Sequence, residues 1–246
     1  MKRKFKISII TNVIIFAVVF SVLAVTVIPQ SYQPISANGE IKAIYNGDRS
    51  KPNVSLMFNV YENTSVVNSI MQELDKRNLK ATFFVGGCWA DDNGDMLNLL
   101  VKNGHEIANH GYFHKDHKKL SYDDNLEEIR LTGAIVKALC GETTTLFAPP
   151  SGSFSQNTLS SANKLGYKVI MWSKDTIDWR DSDVKLIVKR ATNNVTNGDL
   201  ILMHPKEHSL RALPQILDYF EKIGLKQVKV SQNIGAYQEL GENNDV

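Results

Sequence analysis

From residue 53 onward, short apolar runs alternate with stretches whose apolar positions recur every three or four residues. VSLMF at 54–58 is followed by Val66, Val67, Ile70 and Leu74. ATFFVG at 81–86 precedes Met96, Leu97, Leu100 and Val101, and HEIANH at 105–110 precedes a helical pattern from Ser121 through Leu139. The series continues with TLFAPP at 145–150, YKVIMW at 167–172, DLILMH at 199–204 and QVKVS at 227–231. Helices are expected around Leu159 to Leu165, Val184 to Thr192 and Leu210 to Lys222 between them. About seven strands, each followed by a helix or a long loop, predict a parallel α/β sheet or barrel. In a parallel barrel the carboxyl ends of the strands share one face, where active sites are built. Asn59, His110, Asp175 and His204 all fall just after predicted strands.

The first 29 residues follow a different pattern. Lys2, Arg3, Lys4 and Lys6 precede residues 7–29, which carry no charge and no amphipathic stripe. At about 1.5 Å per residue that run is long enough to cross a bilayer's hydrocarbon core, and the basic end should stay in the cytoplasm. A single membrane helix with an extracytoplasmic domain is therefore expected. The alternative is secretion after cleavage at Ala37, a small-residue site that lies far past an unusually long apolar run. Residues 30–52 are polar, contain Pro and Gly, and read as a linker. The expected layout is 1–29 anchor or signal, 30–52 linker, 53–235 folded domain and 236–246 polar tail.

Composition narrows the function classes. The 246 residues, 43% of them hydrophobic, allow one large α/β domain or two small ones. The formal net charge of +2 comes from 28 Lys and Arg against 26 Asp and Glu. Without the four leading cations the balance is 24 against 26, or −2, and no basic run is interleaved with aromatics, so nucleic acid is not an expected partner. Cys88 and Cys140 are too few for a disulfide framework, and both sit in apolar surroundings where a buried thiol is the default.

Candidate chemistry lies at the strand ends. His110 and His114 are four residues apart, within reach of one metal ion if the chain turns after its strand. His204 ends an apolar strand and is followed by Pro205, which places a titratable ring at the sheet's mouth or simply caps the strand. Asp175, Asp178 and Trp179 follow another strand, where carboxylates also serve as helix caps. Ala148, Pro149, Pro150, Ser151 and Gly152 make a rigid, kinked turn.

In this order the motifs resemble the polysaccharide deacetylase (NodB-homology) family over roughly residues 53–235. The matches are His110 with His114, Pro150 with Gly152, Asp175 with Asp178 and Trp179, and Leu202 with His204, supported by LKATFFVGG and HEIANHGYFH. The resemblance implies a distorted parallel (β/α) barrel and metal-assisted removal of N-acetyl groups from aminosugar polymers such as peptidoglycan or chitin-like oligomers. It implies a divalent ion, typically zinc, held by His110 and His114. It also implies an acid, His204, held by Asp175, and a groove walled by Pro150 and Trp179.

The first motif departs from the family. Where Thr-Phe-Asp-Asp-Gly is expected, the chain reads Met57-Phe58-Asn59-Val60-Tyr61, so Asn59 replaces the base and Val60 the metal-binding carboxylate. Ala148 stands where an Arg would orient that base. Losing the Asp and the Arg together is the consistent change, because an Arg without its carboxylate leaves a cation unpaired in a cleft. Glu62 shares the parity of Val60 in an extended segment and is a candidate third ligand, as are Asp116 and His117. Glu62 is read first as an acidic residue in a helix's first turn, favoured there by the dipole. Two functions stand open: a slow deacetylase with a rearranged base and metal shell, or a catalytically silent, membrane-tethered glycan-binding homologue. The divergent first motif also looks like the sporulation-associated branch of the family.

Overall fold

The computed structural model of the protein describes residues 41–235. The apolar segment 7–29, the cleavage site at Ala37 and the tail 236–246 lie outside the described residues. No helix among the described residues is long and apolar enough to cross a membrane.

Eight strands and eight α-helices alternate along the described residues. They are β1 (Asn53–Val60), α1 (Thr64–Lys76), β2 (Thr82–Val85), α2 (Gly87–Asp92), α3 (Gly94–Lys102), β3 (Glu106–Asn109), α4 (Tyr122–Cys140) and β4 (Leu146–Phe147). Then follow α5 (Gln156–Lys164), β5 (Lys168–Val169), β6 (Lys174–Asp175), α6 (Val184–Thr192), β7 (Leu200–Met203), α7 (Glu207–Lys222), β8 (Lys226–Gln227) and α8 (Val230–Ile234). The helix starts are written into the sequence. Ser121 Oγ accepts the Asp124 N–H at the head of α4, and the Asp183 side chain accepts from Lys185 and Leu186 at the head of α6.

All the strand pairings are parallel, in the order β5-β4-β3-β2-β1-β7-β6, with β8 added to β1. The alternation thus yields the predicted parallel α/β architecture, an incomplete barrel: among the described residues β5 and β6 do not pair with each other. The segment before β1 contributes here. Ile44 exchanges backbone hydrogen bonds with Val169 and Met171 (2.8 and 2.7 Å), and Gly47 N–H donates to Gly198 O (2.7 Å). The end of the stretch expected as a linker is therefore built into the sheet's margin. The expected strand at 227–231 is also revised, since β8 stops at Gln227 and Val230 opens α8.

Alternation along each strand separates two cores. Phe58, Val60, Phe83 and Val85 face the helices, in one cluster with Val67, Ile70, Leu97, Leu213 and Phe220. Met57, Phe84, Ala108, Ala148 and Leu202 face the other way and meet Val230 and Ile234 of α8. Strand β1 is buried on both faces, as the centre of a parallel sheet must be. The register Asn59 to Phe84, Val85 to Asn109 and Asn109 to Phe147 brings the carboxyl ends of β1 to β4 to one level.

A cavity at the strand ends

A cavity of about 280 Å³ opens at that rim, lined by Asn59, Tyr61, His110, His114, Ser151, Trp172, Asp175, Trp179, Leu202 and His204. Residues from β1, β6 and β7 and from the loops after β3, β4 and β5 meet here, as the strand-end argument requires.

His110 is 1% exposed, and its Nδ1 lies 2.7 Å from Ala148 O. A carbonyl only accepts, so Nδ1 carries the proton and Nε2 keeps its lone pair. Burial, reinforced by the neighbouring His114, holds His110 well below the ordinary imidazole range. Burial also lowers His114, which itself adopts a positive φ (55°) and packs its ring 4.1 Å from that of Tyr61. The Ala148 backbone carbonyl thus fixes the orientation of His110.

The His110 and His114 ring centroids are 5.2 Å apart. Two imidazoles sharing a tetrahedral ion at about 2.1 Å would have centroids about 5 Å apart, so the pair fits the ion that the resemblance implies. The third donor does not follow. Val60 points into the helix-side core and is fully buried. Glu62 acts electrostatically on His114, but its carboxylate is paired with Lys206 at the head of α7. Asp116 accepts from Ser153 Oγ (2.5 Å) and pairs with Lys119 (3.1 Å). His117 is fully buried with Nδ1 on Asn125 Oδ1 (2.7 Å). Among the described residues no group of three or more His, Cys, Asp or Glu gathers where it would hold a metal ion. Two neutral imidazoles are one donor short of a tightly held zinc site.

His204, the residue expected to serve as the acid, is fully tied down, with a different partner from the one expected. His204 Nδ1 lies 2.8 Å from Asp178 Oδ1, and Asp178 Oδ2 accepts from the His204 N–H (2.8 Å) and Ser209 Oγ (2.6 Å). Asp178 is 1% exposed, and His208 Nε2 donates to its carbonyl (2.7 Å). Asp175, expected to hold His204, instead closes a local turn by accepting the Ile177 N–H on Oδ1 (2.7 Å) and lines the cavity. The turn carries Ile177 into the left-handed region (φ 55°), a strained position for a β-branched residue. That reversal swings Asp178 inward and leaves Trp179 55% exposed at the mouth.

Pro150 is buried and does not line the cavity; Ser151, at φ 56°, takes the wall position. Gly152 makes room for the Trp172 indole, since a Cβ there would come within 2.7 Å of that ring. Tyr61, Ser151 and Trp172 are the lining residues to which the sequence assigns no role. Tyr61 was legible, because it stands in the divergent motif where the family has Gly. Asn59 also lies on the wall, 2% exposed, and among the described residues its carboxamide oxygen has no hydrogen-bond partner. Cys88 and Cys140 are free thiols.

Comparison with known proteins agrees with this geometry. Residues 46–170 match the polysaccharide deacetylase family. An uncharacterized protein YlxY of Bacillus subtilis is 33% identical over 181 residues, 74% of this chain and 57% of the relative, so the chain spans little more than half of that protein. A peptidoglycan-N-acetylglucosamine deacetylase of Bacillus cereus is 29% identical over 203 residues, 80% of this chain and 74% of its own. Among solved structures, a CE4 family pseudoenzyme from Bacillus anthracis superposes with a TM-score of 0.77 at 30% identity, covering 79% of this chain and 69% of that one. A mutant of that pseudoenzyme described as having restored enzymatic activity superposes equally well, with a TM-score of 0.77. The family match over half of the chain and these relatives, in agreement with the strand-end histidines, make this chain a member of the polysaccharide deacetylase family.

Proposed function

We propose that this protein retains aminosugar glycan of the bacterial cell wall in the strand-end cavity and cleaves its acetamide bonds slowly at best. One observation carries the reading: the acid half of the site is fully built while the base half is replaced as a unit. His204 is locked on Asp178, whereas Asn59 presents a carboxamide, Val60 lies in the core and the Ala148 side chain is buried in the inner cluster. A carboxamide does not accept a proton at neutral pH, and loss of a general base costs about 10² to 10⁴ in rate. The family's ion would polarise an acetyl carbonyl and its bound water. His110 and His114 would hold it here, more weakly than a site with a carboxylate.

The chain's own residues still do binding work. Trp179, Trp172 and Tyr61 offer aromatic surface, Ser151 and Asn59 offer hydrogen-bonding groups, and His204 keeps a proton-bearing ring poised at the cavity. The intact His204–Asp178 pair is what supports a residual hydrolytic rate, the second reading. The relatives named as peptidoglycan deacetylases and the fold-neighbour named as a pseudoenzyme support the substrate class and the reduced activity respectively. The uncharged run 7–29 and its flanking cations support a membrane-held protein with the domain outside; a mature N-terminus at Asn38 would instead establish secretion.

Acetate release from peptidoglycan and N-acetylglucosamine oligomers, measured with zinc supplied alongside sedimentation with insoluble peptidoglycan, tests the reading. Co-sedimentation with a rate at least 10² below that of a family member retaining both carboxylates is the expected result. A rate within tenfold of that member, or no retention of glycan, overturns it.

A further inference from the structure

The loop that carries His110 and His114 is held from two sides. On one side α2 takes the loop's carbonyls: Gly87 N–H donates to Gly111 O (2.9 Å) and Cys88 N–H to Tyr112 O (3.1 Å). On the other side α4 takes the loop's donors through a single side chain. Glu128 Oε2 accepts both the Tyr112 N–H (2.9 Å) and the Phe113 N–H (2.8 Å). Glu128 is 3% exposed, and its Oε1 pairs with Lys115 Nζ (2.9 Å). A buried carboxylate is costly unless it is paired and hydrogen-bonded, and this one meets residues 112, 113 and 115, which bracket His114.

Nothing apolar replaces that hold, because the Phe113 ring beside it is 57% exposed. His114 follows directly at φ 55°, a conformation that a non-glycine residue keeps only where its surroundings impose it. His110 is oriented separately, by its Nδ1–H on Ala148 O. Glu128 does not line the cavity, so its effect on the site passes through the loop. Among the described residues no third donor joins the two imidazoles, so their preset spacing carries the affinity for an ion.

We propose that Glu128 is a positioning residue: its charge-assisted clamp on the Tyr112 and Phe113 N–H groups sets where His114 stands relative to His110, and thereby how tightly the pair holds a divalent ion. This rests on the reading that these two imidazoles hold the ion, and it names the residue that makes them a pair.

Electron paramagnetic resonance titration of the full-length chain with Cu2+, which imidazoles hold more tightly than zinc, tests it in neutral detergent at pH 7. A signal from two imidazole nitrogens that disappears in His114→Ala assigns the site. Glu128→Asp keeps the charge but is one methylene shorter, so a Kd weaker by about 10 to 100-fold and an altered hyperfine pattern are expected. Glu128→Gln keeps the reach and an acceptor oxygen, and its Kd should stay within about threefold of the unaltered chain. Lys115→Ala leaves both N–H contacts in place and should stay within about twofold. An unchanged Kd in Glu128→Asp overturns the inference. So does a loss in Glu128→Gln as large as in Glu128→Asp, since charge and not reach would then matter. Where Glu128→Asp does not fold, the other two variants still decide: retained affinity in both supports the clamp, and a loss of about tenfold in either overturns it. If the unaltered chain takes up no Cu2+ at this pair, the ion-holding reading falls and this inference with it; uptake there that is indifferent to Glu128 removes this inference alone.

Discussion

Replacing Asp178 by Ala should cost far more stability than replacing Asp175, although the two carboxylates sit three residues apart and read alike in the sequence. Asp178 is 1% exposed and satisfies three groups at once: His204 Nδ1, the His204 N–H and the fully buried Ser209 hydroxyl. Truncation strands those donors in a dry site. At about 1–3 kcal/mol for each buried donor left unpaired, and with the usual cost of breaking a buried pair, the loss comes to about 3–5 kcal/mol. Asp175 is half-buried and accepts one N–H, worth about 1 kcal/mol net. Urea unfolding followed by far-ultraviolet circular dichroism measures the difference. With a denaturant slope of about 2 kcal/mol per M, the midpoints of the two variants should lie at least about 1 M apart, Asp178→Ala the lower. Equal midpoints, or a lower midpoint for Asp175→Ala, would refute the assignment of Asp178 as the residue that holds His204.

Glu62→Gln should leave zinc affinity unchanged and shift stability by less than about 1 kcal/mol, because the half-exposed carboxylate is spent on Lys206; a tenfold weaker zinc Kd would show that it turns to the imidazoles. Stability should fall between pH 6.5 and about 4. Burial lowers His105 from 6.5 to about 4 and also lowers His110, His114 and His117, so the unfolded chain takes up protons in this window that the folded chain does not. His105 alone accounts for about 3 kcal/mol of that slope, so a urea midpoint flat from pH 7 to 4.5 would refute the burial argument. Ala148→Arg should destabilise by about 3–5 kcal/mol, since it puts a cation into a fully buried position, and Asn59→Asp in the same molecule should recover at least about 1 kcal/mol. Strict additivity in that double-mutant cycle would show that the two positions do not form one half-site.

Much of the architecture was legible because it rests on local periodicity. The alternation of VSLMF, ATFFVG and DLILMH with helical stripes dictates parallel strands, and parallel strands put Asn59, His110, Asp175 and His204 on one rim whatever the loops do. Strand–loop–His patterns therefore located three imidazoles in one cavity before any contact was known. Parity arguments carried less far. They put Glu62 on the same side as Val60, but Val60 faces the helix-side core, and beyond β1 the chain turns so that Glu62 meets Lys206, 144 residues away.

What only the tertiary structure decided depends on turns and on distant partners. Asp178 takes the role expected of Asp175 because Ile177 adopts a left-handed backbone, a conformation that its side chain disfavours and that surrounding contacts must impose. The same holds for the wall position passing from Pro150 to Ser151, another positive-φ residue. The unpartnered oxygen of Asn59 is likewise invisible in one dimension. The sequence shows that a carboxylate has become a carboxamide, but whether its oxygen finds a donor depends on β2, β3 and β7 arriving around it, and long-range packing, not local propensity, settles that account.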